Sequence, residues 1–386
     1  MYDGLLIDEF GQYAPTAAGF DEWSKVVGML QAAKEYQGKT LCVYAYTNLP
    51  AQESRKRFLE AVIAAGGKVC FERYIPEGAT QKDAAEEIRV QLKDDLGQWE
   101  KAVPECRRHI VMTPGCFQHG QLSLNYFPNV DFKVLMDMEM HLLATDPAFD
   151  GLCGVSYWTS GYADDELVRW QGRLFRHYFI EGKTTPLSEQ YRFTYALDHI
   201  RNADLGEGVK DWEIQQAEPE SVSAKELDGF GNMQGCYGGG KAIGSHYLLL
   251  KRSAKAPNVI RQTVSNLQPG KLYSVKMLTV DYHDIETQNS KRQVHALSVD
   301  IEGADVIPEK SFTEPVTGAH NFTRVLPDKS TVTEPLWVNT HFRLFRAKSP
   351  TAALRISDWA TSDAPGGPIG QELMLNFIEV QPYFEN

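Results

Sequence analysis

The sequence predicts an α/β domain over residues 1–200 followed by an all-β domain over residues 201–386. Three observations carry this. Five apolar or β-branched runs each precede a stretch whose apolar residues recur at helical spacing. No GxGxxG or GxxxxGKS/T follows any of those runs, so the phosphate-binding loops common in open doubly wound sheets are missing. After about Arg201 the helical stripes give way to short alternating runs bounded by Gly, Pro, Asn and Ser.

The first run is LLIDEF at 5–10, and over 20–36 Trp23, Val26, Val27, Leu30 and Ala33 lie on one helix face. TLCVYAYT at 40–47 precedes 53–65, where Phe58, Leu59, Val62 and Ile63 form a stripe and Gly66-Gly67 supplies a C-cap. KVCFERY at 68–74 leads to a long helix within 80–103, and HIVMT at 109–113 leads through a Gly/His/Asn loop to a helix over 130–143. LCGVSYW at 152–158 leads to the amphipathic stretch 166–179. Parallel strands need crossovers of this length, so the series reads as β/α units with nearly continuously apolar strands. The strands end in Asp8-Glu9, Tyr44/Tyr46, Glu72, Thr113 and Tyr157-Trp158. In a (β/α)8 barrel such ends build the active site; a doubly wound sheet is the competing architecture. The second half carries strands near 247–251, 259–264, 272–280, 295–301, 337–347, 353–358 and 372–383, with turns such as Gln268-Pro269-Gly270. These predict an antiparallel β-sandwich or jelly roll, in which Gly238-Gly239-Gly240 is a turn.

Length and composition bound the function. The 386 residues suit two or three domains at ~150 each. Hydrophobic residues at 42% and charged residues at 23% exclude a disordered or collagen-like chain. Lys+Arg at 39 against Asp+Glu at 51, with no basic run, argues against nucleic acid. The longest apolar stretches, such as 61–65, fall far below the ~20 residues of a membrane span. Met1 to Phe10 lacks the basic and long apolar regions of a secretory signal. The six cysteines show no CxxC spacing and read as buried thiols.

DGLLIDEF (3–10), VCFERYIPE (69–77) and GVSYWTSGY (154–162) make the first half resemble the later part of a (β/α)8 glycoside hydrolase barrel of the clan A kind. If 152–158 is strand eight, LLIDEF counts as strand four. The resemblance then implies that Glu9 is the acid/base, although it follows Asp8 where that clan usually has Asn. The clan's nucleophile ends strand seven, whereas HIVMT runs into Thr113-Pro114-Gly115 without a carboxylate. Glu72, on the counted strand six, is the nearest glutamate. Trp158 is similar to the aromatic that floors the sugar site. A barrel takes ~250 residues, so the expectation is a fragment lacking three N-terminal units, with any signal peptide in the lost segment and an extracellular or periplasmic location. The exposed apolar edge at 5–7 would then favour association. The second half resembles galactose-binding-like carbohydrate-binding modules, through Asn202-Ala203-Asp204 with Trp212, VSNLQPGKLYSV (264–275) and NFIEVQPY (376–383).

Glycoside hydrolysis needs two carboxyl groups across the scissile bond. Glu9 and Glu72 are the candidate catalytic pair; Asp8, Tyr46, Tyr74, His119 and Trp158 are candidate substrate-binding residues. Adjacent strand side chains face opposite ways, so if Glu9 faces the mouth, Asp8 points toward the helices and Arg73 points away from the Glu72 carboxyl. A salt bridge or cap is the competing role for Glu72, and solvated loop for His119. Of Tyr44/Ala45 and of Tyr157/Trp158 only one each can face the mouth, and Trp158 is the choice in its pair; core packing is the common fate of any aromatic. Asp137, Glu139 and His141 read as a solvated helix face rather than a metal site, and Asp164-Asp165-Glu166 as a helix N-terminus. In the β domain Trp212, Tyr237, Tyr247, Tyr282, Trp337 and Trp359 are either a sugar platform or core, and Asp281, Asp284 and Glu302 are candidate ligands of a structural calcium. No other cofactor is expected. The expected function is a glycosidase with an accessory sugar-binding module, and the alternative is a non-catalytic glycan-binding protein with a vestigial barrel. A third reading gives the sandwich a purely structural or protein-contact role.

Overall fold

The five apolar runs of the first two hundred residues form one parallel sheet of β1 (Gly4–Ile7), β2 (Thr40–Ala45), β3 (Lys68–Arg73), β4 (Ile110–Pro114) and β5 (Gly154–Val155), adjacent in chain order. A computed structural model describes residues 4–8, 16–45, 52–118, 123–158, 161, 163–235 and 242–385. The crossovers carry α1 (Ala17–Ala32), α2 (Glu53–Ala64), α3 (Gln81–Ile88), α4 (Asp95–Ala102), α5 (Phe132–Thr145) and α6 (Asp165–Phe175), with α7 (Leu187–Tyr191) behind them. A π turn, Arg89–Asp94, joins α3 to α4 into the long helix expected over 80–103. Gly66, at φ 71°, ends α2 where expected. Its N–H and that of Gly67 donate to the carbonyls of Ile63 and Val62, both at 2.9 Å.

Among the described residues the strand order runs without reversal, so no switch point of a doubly wound fold is seen there, and crossovers of the usual right hand put the helices of such a sheet on one face. Burial agrees. Leu41, Val43, Ala45, Val69, Phe71, Ile110 and Met112 are buried with Phe58, Leu59, Leu92 and Trp99. The opposite face is uncovered at the β1 edge: Leu6 is 57% exposed, while Cys42 and Tyr44 are half-buried. Burial alternates along β2, whereas β3 and β4 are buried on both faces, in keeping with nearly continuously apolar runs. Among the described residues the sheet is an open arc of five strands, and no helix is long and apolar enough to cross a membrane.

The strands that follow are β6 (Glu213–Gln215), β7 (Val222–Glu226), β8 (His246–Lys251), β9 (Val259–Val264), β10 (Leu272–Asp281), β11 (Ser298–Glu302), β12 (Ala304–Val306), β13 (Phe312–Val325), β14 (Thr331–Ala347), β15 (Ala352–Ser357) and β16 (Glu372–Pro382). Two short helices, α8 (Phe230–Gln234) and α9 (Tyr282–Thr287), interrupt them. They make two antiparallel sheets: β12-β14-β10-β16-β8-β7 with β13 on β14, and β11-β15-β9-β6. Between the sheets Ile260, Leu354 and Ile356 pack in one core with Val275, Met277, Phe345, Leu373 and Leu375. The Gly238-Gly239-Gly240 turn lies outside the described residues.

A bulge decides what the outer face of the larger sheet presents. Lys276 pairs with Glu379 and Leu278 with Asn376, so Phe377 and Ile378 together oppose Met277, and Phe377 takes φ 53°. Beyond it Ile378 and Val380 join the sandwich core, and Glu379 and Gln381 turn outward toward the α/β part. Asn125 Nδ2 donates to Glu379 Oε1 at 3.1 Å, and Lys133 Nζ to Gln381 Oε1 at 2.8 Å. Lys276 Nζ donates to the Gln118 carbonyl at 2.9 Å, and the Phe384 N–H to Glu166 Oε1 at 2.6 Å. The first core takes in residues up to Tyr195, joined by Phe384, and the second begins at Ile200.

Candidate functional site

In-register parallel pairing sorts the strand residues by face. Leu6 pairs with Cys42, Tyr44 with Cys70, and Glu72 with Thr113, so these positions share the side away from the helices, which is open at the β1 edge and buried around β3 and β4. Toward the carboxyl ends of the strands this side carries Tyr44, Cys70, Glu72, Tyr74, Thr113, Ser156 and Trp158. Glu72 is 5% exposed. The Tyr74 phenol donates a hydrogen bond to Glu72 Oε1. Burial and that carboxylate both push the Tyr74 pKa up, so the phenol keeps its proton. Tyr44 is pushed up to about 12, first by burial and then by Cys70, Glu72 and Asp8; the Cys70 thiol beside it is pushed up to about 11 by burial.

Rings wall the site. Trp158 meets Tyr44 edge-on at 5.1 Å, and Phe117 meets Tyr74 edge-on at 4.8 Å. Beyond β5 the ladder continues through a bridge between Gly115 and Trp158, with Trp158 N–H donating to the Pro114 carbonyl at 3.0 Å. Glycine is required at 115, because a Cβ there would lie 2.9 Å from Tyr74, Phe117 and Leu124 side-chain atoms. Thr113 and Ser156 hydroxyls bond at 2.8 Å below the rings.

Alternation places several residues as the sequence suggests. Arg73 turns to the helices, where it pairs with Asp95 at 2.9 Å and lies over the Phe71 ring at 3.8 Å, and it also donates to the Glu72 backbone carbonyl at 2.9 Å. Tyr157 also turns inward; its hydroxyl donates to the Met136 carbonyl at 3.3 Å. Asp8 is expected to face the helices only if Glu9 faces the mouth, and Glu9 lies outside the described residues. Asp8 follows Ile7, which pairs with Val43 on the helix-covered side, and its charge acts on both Tyr44 and Tyr74. It therefore belongs to the same face as Glu72. Glu9, Tyr46 and His119 lie outside the described residues.

Other candidates have structural roles. Asp137 is no solvated residue: it is 1% exposed and accepts from the Tyr178 hydroxyl at 2.6 Å and the Ser188 N–H at 2.7 Å, anchoring α7. Glu139 is buried too, and burial pushes its pKa well up, whereas His141 bonds the Thr184 carbonyl at 3.0 Å. Asp164 caps α6 through the Leu167 N–H at 2.9 Å. In the sandwich, Trp212 and Trp359 are buried, with indole N–H groups donating to the carbonyls of Asn202 and Ser253 at 3.2 and 3.1 Å, and Tyr247 is core. Tyr282 and Trp337 are half-buried, and Tyr237 lies outside the described residues. The calcium trio is not one site. Asp281 ends β10, whereas Glu302 precedes β12, which pairs with β14 near Ala347 at the opposite end of β10, roughly 30 Å away over nine residues. Asp281 Oδ2 accepts from Gln371 at 2.8 Å and Asp284 Oδ2 from Ser290 at 2.6 Å. Among the described residues no group of three or more His, Cys, Asp or Glu could hold a metal ion.

Sequence reasoning missed a buried charged cluster under the sandwich. Lys133 lies 3.1 Å from Asp131 and 3.3 Å from Glu166, all three buried. Burial pushes Glu166 up to about 8 and Glu379 up to about 7, against the pull of nearby lysines. Glu77 Oε2 accepts from the Tyr126 and Phe127 N–H groups at 2.8 and 2.9 Å. A lysine and glutamates within apolar helical stripes are the one signal that could have pointed to it.

No protein-family model matches the chain, and no curated protein matches it. Solved structures that resemble it include carbohydrate-binding modules and glycoside hydrolases. The enzymatically active domain of tailspike protein 4 of bacteriophage CBA120 is 8% identical at TM-score 0.28, covering 59% of this chain and 25% of that one. TmCBM61 in complex with β-1,4-galactotriose is 10% identical at TM-score 0.25, covering 48% and 99%. A GH27 β-L-arabinopyranosidase from Geobacillus stearothermophilus is 10% identical at TM-score 0.20, covering 92% and 63%. The chain thus spans about a quarter of the tailspike domain, and likenesses this distant assign no residue a role.

Proposed function

We propose that the protein is a carbohydrate-active protein of glycoside hydrolase type, working at the carboxyl end of the sheet face away from the helices, with the β-sandwich as an accessory sugar-binding part. The observation that carries this reading is Glu72: a buried carboxyl group on that face, held by a phenol and flanked by Tyr44 and Trp158. Sequential order and one helix-covered face are what an arc of a (β/α)8 barrel has. Glu72 is the carboxylate that meets the sugar as nucleophile or base, and the second carboxyl comes from Asp8-Glu9. β1 and β3 flank β2, so their backbones stand about 10 Å apart. Side chains leaning over β2 fit the ~5–9.5 Å separation that glycosidases use. The rings offer faces to pyranose C–H groups.

The test is reducing-sugar release from a panel of neutral polysaccharides by the wild type, Glu72→Gln, Asp8→Asn and Glu9→Gln. Glu72→Gln and one β1 variant should lose roughly 10²–10⁴-fold in kcat. Full activity of Glu72→Gln would overturn the assignment. A second reading, sugar binding without hydrolysis, is favoured by one observation: β4 ends in Thr113-Pro114-Gly115 and its neighbour offers Ser156, with no carboxylate from either. Calorimetric glycan binding with no reducing sugar released would select it.

A further inference from the structure

Between the α/β part and the outer face of the larger sheet lies a cleft of about 430 Å³, within the ~300–1,000 Å³ of small-ligand sites. Gln118 and the first turn of α6 form one wall, and Lys276, Thr340, Phe312 and Phe342 the other. Two of its lining side chains stand out. Gln118 is 3% and Thr340 6% exposed, yet Gln118 Oε1 and Thr340 Oγ1 find no hydrogen-bond partner among the described residues. A buried polar atom left unpaired is costly, so two such side chains lining one cleft fit a place where a ligand completes them.

We infer that this cleft is a second sugar-binding site, taking a neutral pyranose residue of the glycan that occupies the Glu72 face; the inference rests on the sugar-active reading above. A sugar hydroxyl both donates and accepts, which suits an amide oxygen and a threonine hydroxyl alike. The apolar wall suits its C–H face. Phe312 stacks on Phe342 at 5.1 Å and 16° while remaining 41% exposed, and Tyr383 lies 6.5 Å beyond. Acidic lining residues outnumber basic ones, five to three among those described, and burial pushes Glu166 among them up to about 8, so the lining holds no excess of positive charge to select a phosphate or uronate. The cleft is also close to the Glu72 face. Gly115 bridges to Trp158 on the sheet, and Gln118 is three residues on, at most roughly 11 Å away. One glycan of a few residues spans both, which makes the substrate class an oligo- or polysaccharide rather than a simple glycoside.

Hydroxyl-radical footprinting with β-1,4-galactotriose, xylohexaose and mannohexaose, alongside calorimetry, tests this. With at least one glycan, Phe312, Phe342 and Tyr383 should be protected together with Tyr44 and Trp158. Phe312→Ala should weaken binding about tenfold or more. Thr340→Val should weaken it similarly while leaving Tm unchanged or higher, since it removes an unpaired buried hydroxyl; a purely structural Thr340 would leave affinity unmoved. Protection confined to Tyr44, Tyr74 and Trp158, or unchanged affinity in Thr340→Val, overturns the second site and leaves the proposed function standing. Protection confined to the cleft supports the second site and counts against the Glu72 face. No protection by any of the three glycans overturns the second site, and the hydrolysis assay judges the Glu72 face separately.

Discussion

Acid should weaken the contribution that His295 makes to the fold. The imidazole is 4% exposed; its Nδ1 meets Thr279 Oγ1 at 2.8 Å, and the same hydroxyl meets His341 Nε2 at 2.8 Å. Burial lowers the His295 pKa from 6.5 to about 4, with Asp281 opposing and Arg252 adding to the shift. A base whose folded-state pKa is lowered is held neutral by the fold. Its contribution is intact above pH 6.5 and is lost as pH falls through about 4. At pH 4.5 the linkage relation makes that loss about 2.5 kcal/mol, and His341, also lowered by burial, acts with the same sign. Glu166 and Glu379 act oppositely: raised to about 8 and about 7, they stabilise below pH 4.5 and lose that as pH rises through 7 to 8. A raw stability curve therefore mixes two slopes, and a variant must separate them. Urea unfolding at pH 7.5 and 4.5 would be compared for the wild type and His295→Asn, whose amide reaches the Nδ1 position without titrating. The wild type should lose about 2.5 kcal/mol more than the variant between the two pH values. Equal losses would refute the reasoning.

Two further substitutions probe the buried cluster and the Glu72 face. Lys133→Met removes the ammonium beside Asp131 and Glu166; burial already pushes Glu166 up to about 8, so the cost falls on Asp131, left buried without its cation, and urea unfolding should show a loss of about 3–5 kcal/mol, whereas one below about 1 kcal/mol would contradict the pairing. Tyr74→Phe deletes the donor to Glu72; kcat should fall roughly 10–100-fold with an unchanged circular dichroism spectrum, in line with a hydrogen bond to a charged group, and an undiminished kcat would detach Tyr74 from the chemistry.

Strand and helix positions in the α/β part were legible because each unit carries a local period: Phe58, Leu59 and Val62 mark α2 as clearly in the sequence as in the core. Face was less legible. Asp8 and Glu9 are neighbours, and only the pairing of Ile7 with Val43 shows which side Asp8 takes. β13 was missed because Pro315 and Gly318 interrupt its alternation, and its pairing with β14 slips between Thr317 and Asn321. The aromatic residues of the sandwich could not be sorted, since an indole bonded to a backbone carbonyl, as in Trp212 and Trp359, has the same letter as one facing solvent. The interface was hidden by distance along the chain: Asn125 and Glu379 stand 254 residues apart.

That interface bears on the site. Gln118, Asn125 and Lys133 follow β4, and Glu166 follows β5, so the side chains and carbonyls that hold the sandwich come from the carboxyl-end side of the sheet. Ligands of parallel α/β sheets bind at that end. Contacts between apolar faces tolerate sliding, whereas a lysine aimed at one carbonyl and an asparagine aimed at one carboxylate do not. The outer face of the larger sheet is thereby set beside the β4 and β5 loops, next to Trp158 and within a few residues of Glu72. On the proposed reading, a sandwich tethered elsewhere would only raise local glycan concentration, whereas one docked here adds a wall to the cleft beside the sheet.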